Sequence, residues 1–339
     1  MRNAELKANN SKFQIPNSQF SYLRWGIGVL AVLLFPLVNP NPYQIDVLTT
    51  ALLYALLALG LNLIVGLTGL LHLGYAAFFA IGAYTYALLN LHWGWPFWAG
   101  LMPAAVAAGI SGMALGAPAL RVRGDYLAIV TLGFGEIVRI LFTNLDRWTG
   151  GPNGLLGIAH PHLWIPGRGL WDFGVTSMPY YYLVAIATAV AAGLCVRLSR
   201  SRIGRAWVAI REDELAASCT GIPVLQLKLL AQGCGGAIAG VGGAIFAAKQ
   251  GTITPDSFDF ILSVMILAMV VLGGLGSIRG AIVGALTLGT LPELLRGFDQ
   301  YRMLLFGLSM IIIMRLRPRG FFGGSPTGAP GRKRHAAPA

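Results

Sequence analysis

The 339-residue chain is 55% hydrophobic and only 11% charged, with a mean hydropathy of +0.66 and a formal net charge of +12. That balance places it among polytopic membrane proteins and excludes an ordinary soluble domain. The positive charge does not point to nucleic acid, because the basic residues fall between apolar runs, as they do in cytoplasmic loops.

Residues 1–24 are polar, carry Arg2, Lys7, Lys12 and Arg24, and read as a cytoplasmic N-terminal segment. The apolar run at 25–38 ends in Asn-Pro-Asn-Pro without a small-x-small cleavage site, so a retained anchor helix is expected. Residues 45–65 are long enough to cross a hydrocarbon core of about 30 Å. After Gly66-Leu67-Thr68-Gly69 a further apolar run extends to Leu89, and residues 70–74 read as either a tight turn or a broken helix. His92-Trp93-Gly94-Trp95 carries interfacial aromatics. The next span, 96–115, is closed by Arg121 and Arg123. Residues 125–144 form another, with Glu136 and Arg139 inside it. Residues 146–178 are rich in Trp, Pro and Gly and read as the longest non-helical segment, followed by a span at 180–196.

The loop at 199–226 is the most charge-dense stretch within the apolar part of the chain. A charge near the bilayer centre costs about 2.5–3.5 kcal/mol on insertion scales, so this loop belongs in water. Arg197, Arg200, Arg202, Arg205 and Arg211 lead into Glu212, Asp213 and Glu214, then Ala216, Ala217, Gly221 and Pro223. The acids suit the N-terminus of a short helix, Gly221 its left-handed C-terminal stop, and Pro223 prevents continuation. A helix of about two turns cannot persist alone, so it must dock on something. Further spans are expected at 229–248, 260–272, 278–295 and 301–314, and a basic, Gly/Pro-rich, disordered cytoplasmic tail at 315–339.

The expected fold is thus an all-α integral-membrane bundle of about ten transmembrane helices, one domain over 25–314, with both termini cytoplasmic. Nearly all Arg and Lys then lie on the cytoplasmic side; Arg147, Arg168, Lys249, Arg296 and Arg302 fall on the other. Glu136 and Arg139, three residues apart on one helix face, can neutralise each other. They are either a pathway pair or a structural pair with Arg139 reaching for the interface. Gly276, Gly280 and Gly284 form a small-xxx-small packing ridge, as do Gly236, Gly240 and Ala244. The Gly-rich run from Gly66 to Gly74 is echoed by that from Gly273 to Gly280, pointing to an internal repeat with the pathway between its halves. The Thr149-Gly-Gly-Pro-Asn-Gly run is turn chemistry, either a contact for a partner or a surface loop.

The acids, Ala216-Ala217 and Gly221 resemble the cytoplasmic loop of ABC-importer permeases, whose coupling helix enters the ATPase subunit; Leu215 stands where that pattern carries Glu. Arg-Ile-Gly-Arg-Ala at 202–206, the run from Leu120 to Arg139, Leu272 to Gly289 and Arg317-Pro-Arg-Gly-Phe-Phe-Gly are similar to LivM-type permeases of branched-chain amino-acid importers. The resemblance runs from about Leu61 to Gly323. It implies transport of Leu, Ile and Val across a bacterial inner membrane, with Arg211, Glu212, Asp213, Glu214, Ala216, Ala217 and Gly221 in the coupling loop. It also implies a second permease in a heterodimer, two cytoplasmic ATPase subunits and a periplasmic substrate-binding protein. The same architecture could carry urea, short amides or sugars. A self-sufficient secondary transporter would be expected to show mid-membrane carboxylates, where only Glu136 qualifies. No G-x-x-x-x-G-K-[ST], G-x-S-x-G or H-E-x-x-H occurs, so neither an enzyme nor a cofactor is expected. Cys195, Cys219 and Cys234 show no CxxC or His pairing, so no disulfide or metal site is expected either.

Overall fold

The computed structural model describes residues 35–36, 41–119, 125–165, 169–174 and 177–294, with isolated positions at 307, 308, 311, 315, 320 and 321. The segment 1–24, nearly all of the spans expected at 25–38 and 301–314, and nearly all of the tail lie outside the described residues.

Helix α1 (Pro42–Leu61) begins on Asn41, whose side chain accepts the Tyr43 N–H at 3.1 Å, with Pro42 pre-set in the first turn. It continues through a π-helical turn, Asn62–Leu67, and from Ala51 onward is apolar on nearly every face, the pattern of a helix buried all round. It is the central mast of the bundle, flanked by α6 (Ser177–Arg200), α9 (Val224–Gln250) and α11 (Ile278–Leu294). Helices α2 (Tyr75–Trp93) and α3 (Phe97–Ala119) pack on the far side of α9, and α4 (Asp125–Asn144) lies against α2.

Glycine makes the α2–α9–α3 layer possible. A Cβ on Gly240 would lie 2.5 Å from the Ala104 carbonyl oxygen, and one on Gly236 2.6 Å from that of Ala108. One on Gly82 would overlap the Gly240 backbone. Backbones this close gain packing that lipid cannot supply. The expected second ridge is only partly a ridge. Gly280 and Gly284 on α11 close on Gly273 and Met269 of α10 (Phe260–Gly273), whereas Gly276 lies in the turn before α11 with φ +82°.

Among the described residues six helices are long and apolar enough to cross a membrane: Pro42–Leu67, Phe97–Pro118, Tyr126–Asn144, Met178–Arg200, Val224–Gln250 and Pro255–Gly273. α2 and α11 occupy two further expected spans but fall short of that measure. α11 is 17 residues long, and α2 interrupts its aromatics with Gly, Thr and Asn. Residues 69–74 are an irregular connection between the end of α1 and the start of α2, longer than a tight turn.

Two connecting regions hold more regular structure than expected. Between α4 and α6, α5 (Asp146–Thr149) and a 3-10 turn lead to β1 (Leu155–Leu156), then to an antiparallel pair, β2 (His162–Ile165) and β3 (Gly169–Asp172). β1 pairs with β4 (Thr252–Ile253), which follows α9. The charged loop contains α7 (Arg202–Glu212) and α8 (Glu214–Cys219).

Candidate functional site

The charged end is built from caps. The Ser201 hydroxyl accepts the Gly204 N–H at 3.2 Å and starts α7. Trp207 is 0% exposed and donates its indole N–H to the Leu227 carbonyl at 2.7 Å, which pins α7 to the base of α9. Glu212 ends α7 rather than starting the short helix, as its sequence position had suggested. Asp213 is extended and caps α8, accepting the N–H groups of Leu215 and Ala216 at 2.9 and 3.0 Å. α8 ends on Gly221 at φ +81°, with Ile222 N–H bonded to Ala217 O and Gly221 N–H to Ser218 O, the paired bonds of a Schellman stop.

Among the described residues, two contacts tie α8 to the base of α9. Ala217 is buried, and Glu214 accepts from the nearly buried Lys228 at 2.7 Å. Glu212, Ala216 and Ser218 face solvent, and Leu215 is 68% exposed. Leu215 thus stands on the solvent side of α8, opposite the buried Ala217.

Arg211 joins this end to the bundle. Its guanidinium donates to the Gly66 carbonyl at 2.5 Å, one of the acceptors left over where α1 runs out. One turn earlier on the same helix, Asn62 Oδ1 accepts the Gly276 N–H at 2.9 Å. The two Gly-rich runs that echo one another in sequence touch at Gly66 and Gly276, and α7 bears on the first of them through Arg211.

Deeper in, the irregular connection 69–74 finds partners in place of water. Thr131 Oγ1 on α4 accepts the Leu73 N–H at 3.0 Å, and Ser263 Oγ on α10 accepts the Ala76 N–H at 2.9 Å. Such donors must be met by protein when no water is at hand. Beside them, Arg139 holds Glu136 at 3.0 Å and also Asp256, in the 3-10 turn Pro255–Phe258, at 3.3 Å. The intramembrane pair read from the sequence is thus two-thirds of a triad. Glu136 lines a small crevice with Leu73, Ala76, Asp259 and Ser263. His72 is buried against Phe78, and neither ring nitrogen has a partner among the described residues.

The Thr149-Gly150-Gly151 turn is folded inward. Thr149 is buried and donates to Leu145 O at 2.9 Å, and a Cβ on Gly154 would overlap the Ile253 carbonyl. Trp207, Lys228 and Asp256 were not legible as functional positions. The one available signal was Trp207 and Ile210 three apart, the apolar stripe of an amphipathic α7. Among the described residues no group of His, Cys, Asp and Glu could hold a metal ion.

A family model described as "Branched-chain amino acid transport system / permease component" matches residues 43–314. The chain is 44% identical to the high-affinity branched-chain amino acid transport system permease protein LivM of Salmonella typhimurium over 329 residues, covering 91% of this chain and 77% of the relative. Identity to the LivM protein of Escherichia coli K12 is the same over the same shares. It is 27% to the high-affinity branched-chain amino acid transport system permease protein LivH of that organism, covering 80% of this chain and 91% of the relative. No solved structure matches.

Proposed function

Because the chain belongs to the branched-chain amino acid transport permease family, we propose that it is one permease subunit of an ATP-binding-cassette importer for Leu, Ile and Val. It acts as a multi-pass protein of the bacterial inner membrane. The observation that carries the energy-coupling part is α8, a capped and largely exposed helix that, among the described residues, meets the body through buried Ala217 and the Glu214–Lys228 ion pair.

In this reading the subunit pairs with a LivH-like permease, receives substrate from a periplasmic binding protein on the side of β1–β4, and docks α8 into one of two ATPase subunits. The chain hydrolyses nothing itself. Closure of the ATPases on ATP moves α8, and Asp213 passes the movement to α7 as the only residue between them. Arg211 and Asn62 then carry it to the ends of α1 and α11. The bundle extends over 25–314 as about ten helices with both termini cytoplasmic, and the two Gly-rich runs mark its internal repeat.

The test is co-purification of the ATPases with tagged permease, alongside uptake of labelled leucine. Changing Glu212, Asp213 and Glu214 together to Lys removes the α8 cap and sets a cation against Lys228. Insertion should be normal, with ATPase association and uptake lost; unchanged uptake would sink the coupling assignment. Arg202→Cys should be labelled only from the cytoplasm and Leu156→Cys only from outside, and the reverse pattern would invert the whole scheme.

A further inference from the structure

At the end of the bundle away from α7 and α8, helices α1, α2, α9 and α10 enclose a cavity of about 220 Å³. Its polar wall is an ion pair between helices. Lys249 Nζ on α9 lies 2.8 Å from Asp46 Oδ1 on α1, and 3.3 Å from Thr50 Oγ1 one turn further in. The Lys249 side chain is 13% exposed, while that of Asp46 is 50% exposed and so faces the mouth. The remaining walls are formed by Leu53, Tyr54, Phe79, Phe246 and Leu262, with Gln250 and Ser257 adding polar groups. Sites that enclose drug-sized ligands measure about 300–1,000 Å³, so this one admits a single small solute. A purely structural tie has no need of a void against its apolar side, because a cavity forfeits packing.

We propose that this cavity, at Asp46, Thr50, Leu53, Phe246, Lys249 and Leu262, binds a zwitterionic amino acid with an aliphatic side chain in transit. The ligand carboxylate takes Lys249 and Thr50, its ammonium takes Asp46, and its side chain lies on Leu53, Phe246 and Leu262. A zwitterion brings one charge of each sign, so it replaces one ion pair by two and leaves neither protein charge unpaired in a partly dry site. A neutral sugar or amide has no charges to exchange and does not open the pair. The exposed carboxylate of Asp46 gives the pair a side from which to open. The inference rests on the amino-acid permease reading and gives it a location and a recognition chemistry.

The experiment uses the complete importer in proteoliposomes, with labelled leucine and valine delivered by the binding protein. Lys249→Met, the exchange Asp46→Lys with Lys249→Asp, and Leu53→Phe are compared with wild type. All three complexes are expected to co-purify with the ATPases. Leucine uptake falls at least tenfold in Lys249→Met and in the exchange, because reversed charges meet the ligand in the wrong order. Leu53→Phe keeps both charges and fills the apolar side, so leucine uptake falls at least tenfold and valine uptake no more than threefold. Wild-type uptake in the exchange variant would make the pair a tie and overturn the site. So would an equal effect of Leu53→Phe on both substrates, or loss of assembly in all three variants. A wild-type complex that carries no branched-chain amino acid would overturn the parent reading, whatever the variants do.

Discussion

The two ends of the bundle invert the usual link between regular structure and rigidity. At the charged end the backbone is regular: α7 and α8 are capped at every terminus, yet among the described residues α8 rests chiefly on Ala217 and the Glu214–Lys228 bridge. At the opposite end the backbone is irregular, with positive φ at Gly150, Gly151, Gly154 and Gly251, yet Gly154 is wedged against Ile253 and Thr149 is buried. Contact density, not helicity, decides which end opens first. The end that must be pushed is tidy and loosely held, and the end that must receive a solute is untidy and fixed.

The same substitution at both ends should separate them most widely. Gly154→Val combines a left-handed φ with an overlap on a carbonyl that cannot retreat, at a cost of at least about 4 kcal/mol. The expected result is failure to accumulate as folded protein, measured as monodisperse material in detergent. Trp207→Phe leaves the Leu227 carbonyl unpaired and a gap beneath α7, about 2 kcal/mol. Limited proteolysis should then cut within 199–226 while the β1–β4 end stays intact; equal cutting at both ends would break the contrast.

Gly221→Val meets open space and suffers only the left-handed φ, about 1–2 kcal/mol. It should leave the melting temperature near wild type while weakening ATPase association. The smallest effect is expected within the triad. Exchanging Glu136 and Arg139 recreates their mutual pair but turns a carboxylate toward Asp256, so assembly should recover only in part, by under about 1 kcal/mol at these exposures. Adding Asp256→Asn should complete the recovery; full recovery without it would show that Asp256 plays no part.

Local signals carried far in this sequence. α4 occupies 125–144 as read from its apolar run, and Gly221 is the left-handed stop that its place before Pro223 suggested. α7 escaped because its arginines dominate the composition while only Trp207 and Ile210 of its apolar side chains are fully buried. β1 and β4 are two residues each, too short for any alternation to register. Asp256 beside Arg139, and Asp46 beside Lys249, are pairings made by the packing of distant helices, and no spacing in the chain announces them.

The glycines of α9 have a consequence for how the protein is made. Gly235, Gly236, Gly240 and Gly243 present backbone where other spans present side chains, and Lys228 and Gln232 add polarity to the same helix. Such a segment is apolar enough to span by itself, but its close packing needs other backbones. The carbonyls it packs against belong to α1, α2 and α3, at Gly60, Phe79, Ala104 and Ala108, all upstream of Val224. Synthesis from the N-terminus therefore places the receptor for α9 in the membrane before α9 leaves the ribosome, and the order of the chain serves as its chaperone.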